Sequence, residues 1–199
     1  MFLLSLMFAS TLASSADEGV LDGFKFYKIK EGDLLSKIAP FDHWSIIQKV
    51  NRIDERHLVP GKIIYIPVDL DIASGYIPLE EINYDVINDP RAIVFFIDSQ
   101  FFGAYEHGKL IYWGPISSGR KGHETPRGDF FALWKSKNYF SKKYQVPMPY
   151  AVNILSYGIF FHEQAMPGKP DSHGCIRMLR LDAKQIFTWI QKNDRVLIR

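Results

Sequence analysis

The pattern of hydrophobic and polar residues changes along the chain. Between residues 27 and 66 it alternates between the spacing of strands and the spacing of helices. Residues 27–30 and 63–66 have the pattern of short strands, the second of which ends at a proline. After the first strand, Asp33 precedes a run whose apolar residues share one helix face over 34–39, which predicts a helix capped by this aspartate. A second helix is predicted over 44–50. The order strand, helix, helix, strand predicts a small α+β domain.

From Arg91 onward the pattern favours strands. The predicted strands cover 93–97, 100–105, 109–113, 129–134, 151–155, 157–161 and 196–198. Residues 106–108 are predicted to form a hairpin turn, and the D-x-x-Q spacing of Asp182 and Gln185 predicts a capping box that starts a late helix. Several strands followed by one helix predict a mostly β domain, either a β-sandwich or a half-open barrel.

Three segments are interpreted separately from these two predicted domains. Residues 69–90 lack a sustained period and are interpreted as a linker or covering segment. The aromatic residues between Trp134 and Tyr157 are predicted to cover the sheet. Residues 1–16 carry a short apolar run followed by small residues, which predicts a secretory signal peptide, although no Lys or Arg precedes the run. Because a bilayer-spanning helix needs about 20 apolar residues, we expect no stable membrane anchor after processing.

Composition excludes some classes of function. The formal net charge is only +2, and Lys and Arg are dispersed, which argues against a nucleic-acid partner. The chain contains 1 cysteine, so no disulfide can form within it. In an exported protein this residue is a free thiol, which is easier to explain by chemistry than by structure.

That cysteine, Cys175, lies in the segment 172–178, which reads SHGCIRM. A thiol is an effective nucleophile only as a thiolate, so a catalytic cysteine needs a neighbouring imidazole to take its proton. His162 and His173 are both candidates for this base. The loop between His162 and Cys175 is rich in proline and glycine, which favours a turn that brings the two residues together.

Neighbouring residues extend this cluster, and other interpretations of it stay open. Gly174 allows backbone amides to point at a developing oxyanion, and Arg177 would share a strand face with Cys175. A lone cysteine is, however, most often a small buried hydrophobic residue. Zinc is a further alternative, because His162, His173 and Cys175 are zinc ligand types, but their spacing is unusual and a fourth ligand is missing.

The segment 172–178 resembles the active-site motif of the L,D-transpeptidase (YkuD-type) family of bacterial cell-wall enzymes. The spacing back to His162 agrees with the short-loop members of that family. Residues 117–130, SSGRKGHETPRGDF, resemble the family's second motif. The resemblance covers about 91–199 and implies a β-rich catalytic domain with Cys175 as nucleophile and His162 as proton acceptor and donor.

The same resemblance implies roles for the neighbouring residues. His173 and Gly174 would help to form the oxyanion site, and Ser172 and Arg177 would bind substrate. Glu163 replaces the small residue that many members carry after the histidine. This replacement is compatible with activity, because a main-chain carbonyl in this region orients the imidazole in the family.

Residues 24–68 resemble the LysM glycan-binding module, whose landmarks around a G-D pair, an N-x-I and a P-G-x-x-x-x-I-P segment are present. The resemblance implies that this module holds the protein on chains containing N-acetylglucosamine. Leu34 occupies the position of the module's threonine, which affects the expected glycan affinity more than the fold. The alternative is a small packed domain that binds nothing.

The two resemblances together imply an enzyme of the periplasm or cell envelope that acts on peptidoglycan. Cys175 would accept an acyl group from a tetrapeptide stem with release of D-alanine, and a neighbouring stem would complete a cross-link. No cofactor and no metal are implied. The alternatives are an L,D-carboxypeptidase or other hydrolase of the same fold, a glycan-binding protein with an inactive catalytic domain, a sortase-like enzyme and a zinc hydrolase.

Overall fold

The computed structural model describes residues 21–199, so the predicted signal segment 1–16 lies outside the described residues. Two units follow each other along the chain. The first is built on a two-stranded sheet and the second on a nine-stranded sheet. In the described part of the chain, no helix is long and apolar enough to cross a membrane.

The first unit has the predicted order of elements. Strands β1 (Phe24–Lys28) and β2 (Ile63–Pro67) pair antiparallel, and helices α1 (Leu35–Ile38) and α2 (Trp44–Asn51) lie between them in sequence. Side chains from all four elements or their flanks form a buried core that consists of Ile29, Leu35, Ala39, Ile47, Ile53, Ile64 and Ile66. The predicted small α+β domain is therefore confirmed.

The predicted cap of the first helix is wrong. Helix α1 begins after Leu34 and has no side-chain cap. The Asp33 carboxylate instead accepts hydrogen bonds from the Tyr27 hydroxyl at 2.8 Å and from the Lys30 amide at 2.7 Å. Tyr27 lies in β1 and Lys30 follows its end, so Asp33 stabilises the turn between the strand and the helix and does not cap the helix.

Short helical elements interrupt the segment 69–90. It contains helix α3 (Leu70–Ser74) and a 3-10 turn at Tyr84–Val86. Val86 is fully buried on the face of the large sheet that is opposite to its main core, in a cluster with Ala92, Val94, Tyr105 and Leu197. The second half of the segment therefore covers the sheet.

The second unit is mostly β, as predicted. Its strands are β3 (Ala92–Phe96), β4 (Phe101–Glu106), β5 (Lys109–Ser117), β6 (Gly128–Phe131), β7 (Trp134–Ser141), β8 (Val146–Leu155), β9 (Ile159–Glu163), β10 (Ile176–Met178) and β11 (Arg195–Ile198), and its helix α4 spans Arg180–Trp189. Their order in the sheet is β6-β11-β3-β4-β5-β10-β9-β8-β7. His107 and Gly108, with φ of 47° and 75°, form the predicted hairpin turn.

The sheet curls until its two edges meet. Strands β6 and β7 are the edge strands, yet only Ala132 and Leu133 separate them in sequence. The Ala132 amide donates to the Asp194 carbonyl beside β11, and the Leu133 amide donates to the Asn153 carbonyl of β8, both at 2.9 Å. The predicted continuous strand over 129–134 is therefore wrong, because the chain changes partners at this point and closes a half-barrel.

The aromatic segment that was predicted to cover the sheet is itself part of the sheet. Strands β7 and β8 form a hairpin from Trp134 to Leu155. Trp134 and Tyr139 of β7 pack against Phe160 of β9, with ring centroids 5.3 Å and 4.9 Å apart. Tyr139 and Phe160 belong to a further small apolar cluster that reaches Cys175.

The predicted capping box of the late helix is also wrong. Helix α4 begins at Arg180 and has no side-chain cap. Asp182 instead points into the protein, where it is fully buried and accepts a hydrogen bond from the Tyr112 hydroxyl at 2.6 Å. Burial raises the pKa of Asp182, while Lys49 and Tyr112 oppose this shift.

Lys49 connects the two units through this buried carboxylate. Its amine lies 3.4 Å from Asp182 Oδ1 and donates to the Trp113 carbonyl at 2.9 Å. It also lies 4.2 Å from the centre of the Tyr112 ring. Lys49 belongs to α2, whereas its partners belong to β5 and α4. A buried ion pair therefore crosses the boundary between the units.

Replacement of Lys49 by methionine should lower the free energy of unfolding by about 3 kcal/mol, because it leaves the buried Asp182 without its cation. Urea unfolding followed by tryptophan fluorescence measures this change. Lys37→Met is the matched control: Lys37 lies in the same unit and bonds the Gly32 carbonyl at the surface. It should cost less than about 0.5 kcal/mol. Equal losses for the two variants would contradict the assigned role of Lys49.

Candidate active site

The register of two parallel strands brings the candidate residues together. Strands β9 and β10 pair so that Arg177 lies opposite His162 and Ile176 opposite Phe161. Phe161 and Ile176 point into the main core. Because side chains alternate along a strand, His162 and Arg177 lie on the other face, and so does Cys175, two residues before Arg177. The predicted nucleophile, base and arginine therefore share one face.

Cys175 is a half-buried free thiol. Its Sγ lies 3.9 Å from the Gly158 carbonyl oxygen, and its side chain packs against the apolar cluster around Phe160. Burial raises the pKa of the thiol. A hydrogen bond with the Phe160 backbone and the positive charges of Arg177 and Lys143 act in the opposite direction but do not cancel the effect of burial. The resting side chain is therefore a neutral thiol at neutral pH.

His162 is buried, with 4% of its surface exposed, and its ring is fixed by a hydrogen bond. Nδ1 lies 2.7 Å from the main-chain oxygen of Glu163. A carbonyl only accepts hydrogen bonds, so Nδ1 carries the proton and Nε2 is left as the basic nitrogen. Burial lowers the pKa of His162 to about 4; the bond to Glu163 opposes this shift and the charge of Arg177 adds to it.

The Glu163 side chain leaves the imidazole undisturbed. Its carboxylate oxygens lie 3.3 Å from the Arg180 guanidinium, on the opposite strand face from His162. Only the main-chain carbonyl of Glu163 therefore acts on the imidazole. This arrangement explains how the chain accommodates a glutamate after the histidine.

The turn before Cys175 is stabilised by its own serine. The Ser172 hydroxyl donates to the Cys175 carbonyl and accepts from the Gly174 amide at 3.1 Å. Gly174 has φ of 111°, a conformation that side chains rarely allow, and a Cβ there would lie 3.1 Å from Ile159 Cδ1. Ser172 is 2% exposed, so the geometry gives it a role in holding the loop, and its contact with substrate stays a prediction.

The second sequence motif, residues 117–130, also forms hydrogen bonds with the turn before Cys175. The Ser118 carbonyl accepts from the amides of Asp171 and Ser172, both at 3.0 Å. The Thr125 hydroxyl donates to the Gly174 carbonyl at 2.9 Å and accepts from the Gly119 amide at 2.8 Å. The threonine of the motif is thus a buried link between the two motifs.

His173 lies on the surface of the site and is exposed, whereas His162 is buried. Its Nε2 is 2.8 Å from Arg120, and its ring stacks on Tyr144 at 5.0 Å between centroids. His123 of the second motif packs edge-on against it, with ring centroids 4.9 Å apart. Desolvation and the neighbouring cation Arg120 lower the pKa of His173. Of the two candidate bases, His162 is the one that shares the strand face of Cys175 and has its ring fixed by a main-chain hydrogen bond.

Arg177 is held in place by Asp171. Its guanidinium lies 2.6 Å from the Asp171 carboxylate and donates to the Asp171 carbonyl at 3.1 Å. The sequence analysis did not single out Asp171, although it lies in the loop of the first motif. Thr125 was part of a quoted motif without an assigned role, and Tyr144 belonged to the aromatic segment that was predicted to cover the sheet.

Metal ligation was the other open interpretation of this cluster. No group of three or more His, Cys, Asp or Glu side chains within residues 21–199 is arranged to hold a metal ion.

The pKa of His162 gives the folded protein a specific pH dependence. The imidazole binds a proton near pH 6.5 in the unfolded chain but only near 4 in the folded chain. The unfolded state therefore gains a proton first as the pH falls, and stability is lost below pH 6.5. From about pH 7.5 to about pH 5, the free energy of unfolding should fall by about 2 kcal/mol.

Urea unfolding at the two pH values measures this difference. His162→Gln should remove most of it, because the variant no longer buries a neutral imidazole. His107→Gln, in the exposed hairpin turn, should retain the pH dependence of the unchanged protein. An unchanged dependence in His162→Gln would contradict the assignment.

Comparison with known proteins agrees with this geometry. The family model for the L,D-transpeptidase catalytic domain (YkuD) matches residues 90–198, and the model for the LysM domain matches residues 27–67. A Bacillus subtilis protein, YciB, whose name places it among the L,D-transpeptidases, is 32% identical over 111 residues, which cover 47% of this chain and 57% of the relative. A Mycobacterium tuberculosis protein named as a probable L,D-transpeptidase is 29% identical over 102 residues, covering 43% of this chain and 38% of the relative.

Solved structures show the same fold. An L,D-transpeptidase from Stackebrandtia nassauensis superposes with a TM-score of 0.52 at 26% identity, covering 55% of each chain. An L,D-transpeptidase from Mycobacterium smegmatis has a TM-score of 0.52 at 22% identity, covering 56% of this chain and 59% of that one. The chain spans about half the length of the curated relatives it matches. With its second unit matched almost from end to end, the chain belongs to the L,D-transpeptidase (YkuD) family, and its first unit is a LysM domain.

Proposed function

We propose that the protein is a peptidoglycan L,D-transpeptidase that works by cysteine acyl transfer. The observation that carries this proposal is the common strand face of Cys175 and His162, with the Nδ1 proton of His162 bound to the Glu163 carbonyl and Nε2 left as the base. The donor is a tetrapeptide stem. The bond that breaks lies between the carbonyl of the L-centre of its third residue and the nitrogen of the terminal D-alanine.

The first half of the reaction forms a thioester. As the Cys175 sulfur attacks the scissile carbonyl carbon, the thiol proton passes to Nε2 of His162. The tetrahedral intermediate collapses when this proton is delivered to the nitrogen of D-alanine, which departs as the amine. The products are an acyl-enzyme and free D-alanine, and His162 is neutral again.

The second half transfers the acyl group. The amine of a neighbouring stem attacks the thioester carbonyl, His162 accepts the amine proton, and the thiol leaves with that proton. A new amide bond links the two stems, and Cys175 returns to its resting thiol. Water in place of the amine would give a tripeptide and make the enzyme a carboxypeptidase.

The oxyanion formed in both halves requires donors beside the nucleophile. The backbone around Gly174 and Cys175 is assigned this role, supported by the positive φ of Gly174, which shapes the turn. The Gly174 amide itself donates to the Ser172 hydroxyl in the resting structure, so Ser172 fixes the turn from which neighbouring amides would act on the oxyanion. Removal of a well-placed oxyanion donor costs about 3 kcal/mol in well-studied enzymes.

Two charged or polar side chains border this position. Arg177 is assigned the role of binding the carboxylate groups of the donor peptide. Asp171 holds its guanidinium in position for this contact. His173, stacked on Tyr144 at the surface, is assigned to the rim of the oxyanion site rather than to proton transfer.

Intact-mass spectrometry with a disaccharide-tetrapeptide tests the chemistry. The protein should form an adduct with the acyl tripeptide, with D-alanine released in equal amount, and Cys175→Ala should form none. A cross-linked dimer as product supports transpeptidation, whereas a tripeptide alone supports hydrolysis. A folded protein with a free thiol that gives neither adduct nor turnover would contradict the proposed function and favour a glycan-binding role.

We assign the LysM domain to glycan strands of the same polymer, and we propose on this basis that the protein acts outside the cytoplasmic membrane, in the periplasm or cell envelope. Leu34, at the position of the module's threonine, is 53% exposed. Its side chain offers no hydrogen bond to a sugar, so the module should bind N-acetylglucosamine oligomers weakly.

Leu34→Thr should therefore tighten the binding of a chitin oligosaccharide about fivefold, since one added hydrogen bond contributes about 1 kcal/mol. Isothermal titration calorimetry measures this change. Ile63→Thr, at another exposed apolar position of the same domain, is the control and should leave affinity unchanged. An unchanged affinity in Leu34→Thr would contradict the assignment of this position to the glycan site.

A further inference from the structure

The loop between the catalytic histidine and cysteine is attached to the LysM domain. Residues 164–174, here called the catalytic loop, follow Glu163 and precede Cys175. Ile53 forms an isolated antiparallel bridge with Pro167. The Asp54 amide donates to the Met166 carbonyl at 2.9 Å, so the two backbones run side by side. The LysM domain therefore contacts the loop that carries the nucleophile.

The Asp54 side chain strengthens this attachment. Its Oδ2 accepts from the Met166 amide at 2.9 Å and from the Arg56 guanidinium at 3.0 Å. Its Oδ1 accepts from the Arg56 amide at 2.9 Å and is 2.7 Å from His57 Nδ1. Asp54 is only 8% exposed, and Met166 is fully buried. One carboxylate thus joins a turn of the LysM domain to the catalytic loop.

Asp54 acts as an anion in this contact. Burial opposes its ionisation, but the hydrogen bonds from Met166, Arg56 and His57 outweigh burial and lower the pKa of the carboxyl. A hydrogen bond from an amide to a carboxylate is stronger than one between neutral groups. At neutral pH, the loop is therefore held by a charge-assisted bond.

The two halves of the catalytic loop have different anchors. The second half is held by the catalytic domain, where Ser117 donates to the Lys169 carbonyl at 2.8 Å and the Ser118 carbonyl accepts from Ser172. Met166 in the first half has both of its backbone groups bonded to Asp54. Gly168 packs closely here, because a Cβ would lie 3.1 Å from Ile53 Cγ2. Gln164, at the start of the loop, is bonded to the catalytic domain through the Met178 carbonyl at 3.3 Å, so it is the segment 166–168 that depends on the LysM domain.

We propose that Asp54 is a positioning residue of the active site, through which the LysM domain holds the catalytic loop in the shape that aligns Cys175 with His162. The loop begins directly after Glu163, whose carbonyl fixes the His162 ring, and ends at the nucleophile. A shift at Met166 therefore reaches both reacting side chains. This inference rests on the proposed function where it is tested by turnover. A second test, alkylation of the thiol, does not depend on the proposed function.

Turnover of a soluble tetrapeptide without sugar is the first test, because such a substrate gives the LysM domain no glycan to bind. Asp54→Ala should lower kcat about tenfold and leave KM within about twofold, since misalignment affects the reacting atoms more than binding. Asp33→Ala is the matched control. The bonds of Asp33 to Tyr27 and Lys30 stay within the LysM domain, so kcat should not change.

Alkylation of Cys175 by iodoacetamide, followed over pH, is the second test and needs no substrate. Loosening of the loop exposes the thiol and reduces the burial that raises its pKa. The midpoint of the alkylation profile should therefore shift to lower pH in Asp54→Ala and stay unchanged in Asp33→Ala. A protein that forms no acyl adduct would overturn the proposed function, but its alkylation profile would still decide the role of Asp54.

Asp54→Asn provides a milder variant if the alanine variant does not fold. The amide has the size of the carboxylate, but one of its two ends must place an NH₂ group against the donors of Arg56 or Met166. A smaller loss of kcat and a smaller shift of the alkylation profile are expected. A folded Asp54→Asn or Asp54→Ala variant with unchanged kcat and an unchanged alkylation profile would overturn the proposal.

Discussion

The parallel pairing of β9 and β10 is the constraint on which the active site depends. This pairing places Arg177 opposite His162 and puts Cys175 on the same face. Parallel neighbours cannot be joined by a tight turn, so the connection from β9 to β10 has to be a crossover. Here the crossover is a loop without helix or strand, and its shape has to be imposed by contacts with other parts of the chain.

Those contacts come from three places that are distant in sequence. The second motif provides Ser118 and Thr125 beneath the turn before Cys175. The β7–β8 hairpin brings Tyr144 onto His173. The LysM domain brings Asp54 to Met166. Since a buried amide or carbonyl without a partner is costly, the contacts of the second motif and of Asp54 also satisfy backbone groups of the loop that no regular element could satisfy.

The sequence allowed good predictions where the signal is local. Apolar runs identified most strands, and the motif around Cys175 identified residues that the structure places on one strand face with His162. The strand predicted over 151–155 is the second half of β8, whereas the first half of β8 and most of β7 were missed because their aromatic and polar residues follow no regular alternation. Asp33 and Asp182 were predicted as helix caps, but their partners are Tyr27 and Tyr112, and the second partner lies far along the chain. Tertiary contacts of this kind leave no trace in local spacing.

The electrostatics of the resting site constrain how the reaction begins. Burial raises the pKa of Cys175 and lowers that of His162, so the two groups are neutral together at neutral pH. An ion pair would require both charges to form in a site that disfavours each of them. In the proposed mechanism, proton transfer therefore accompanies attack on a bound carbonyl, when the negative charge moves from sulfur to the oxyanion and its backbone donors. That mechanism requires the thiol, the imidazole and these donors to be aligned, so under the proposal the shape of the catalytic loop matters as much as the identity of its residues.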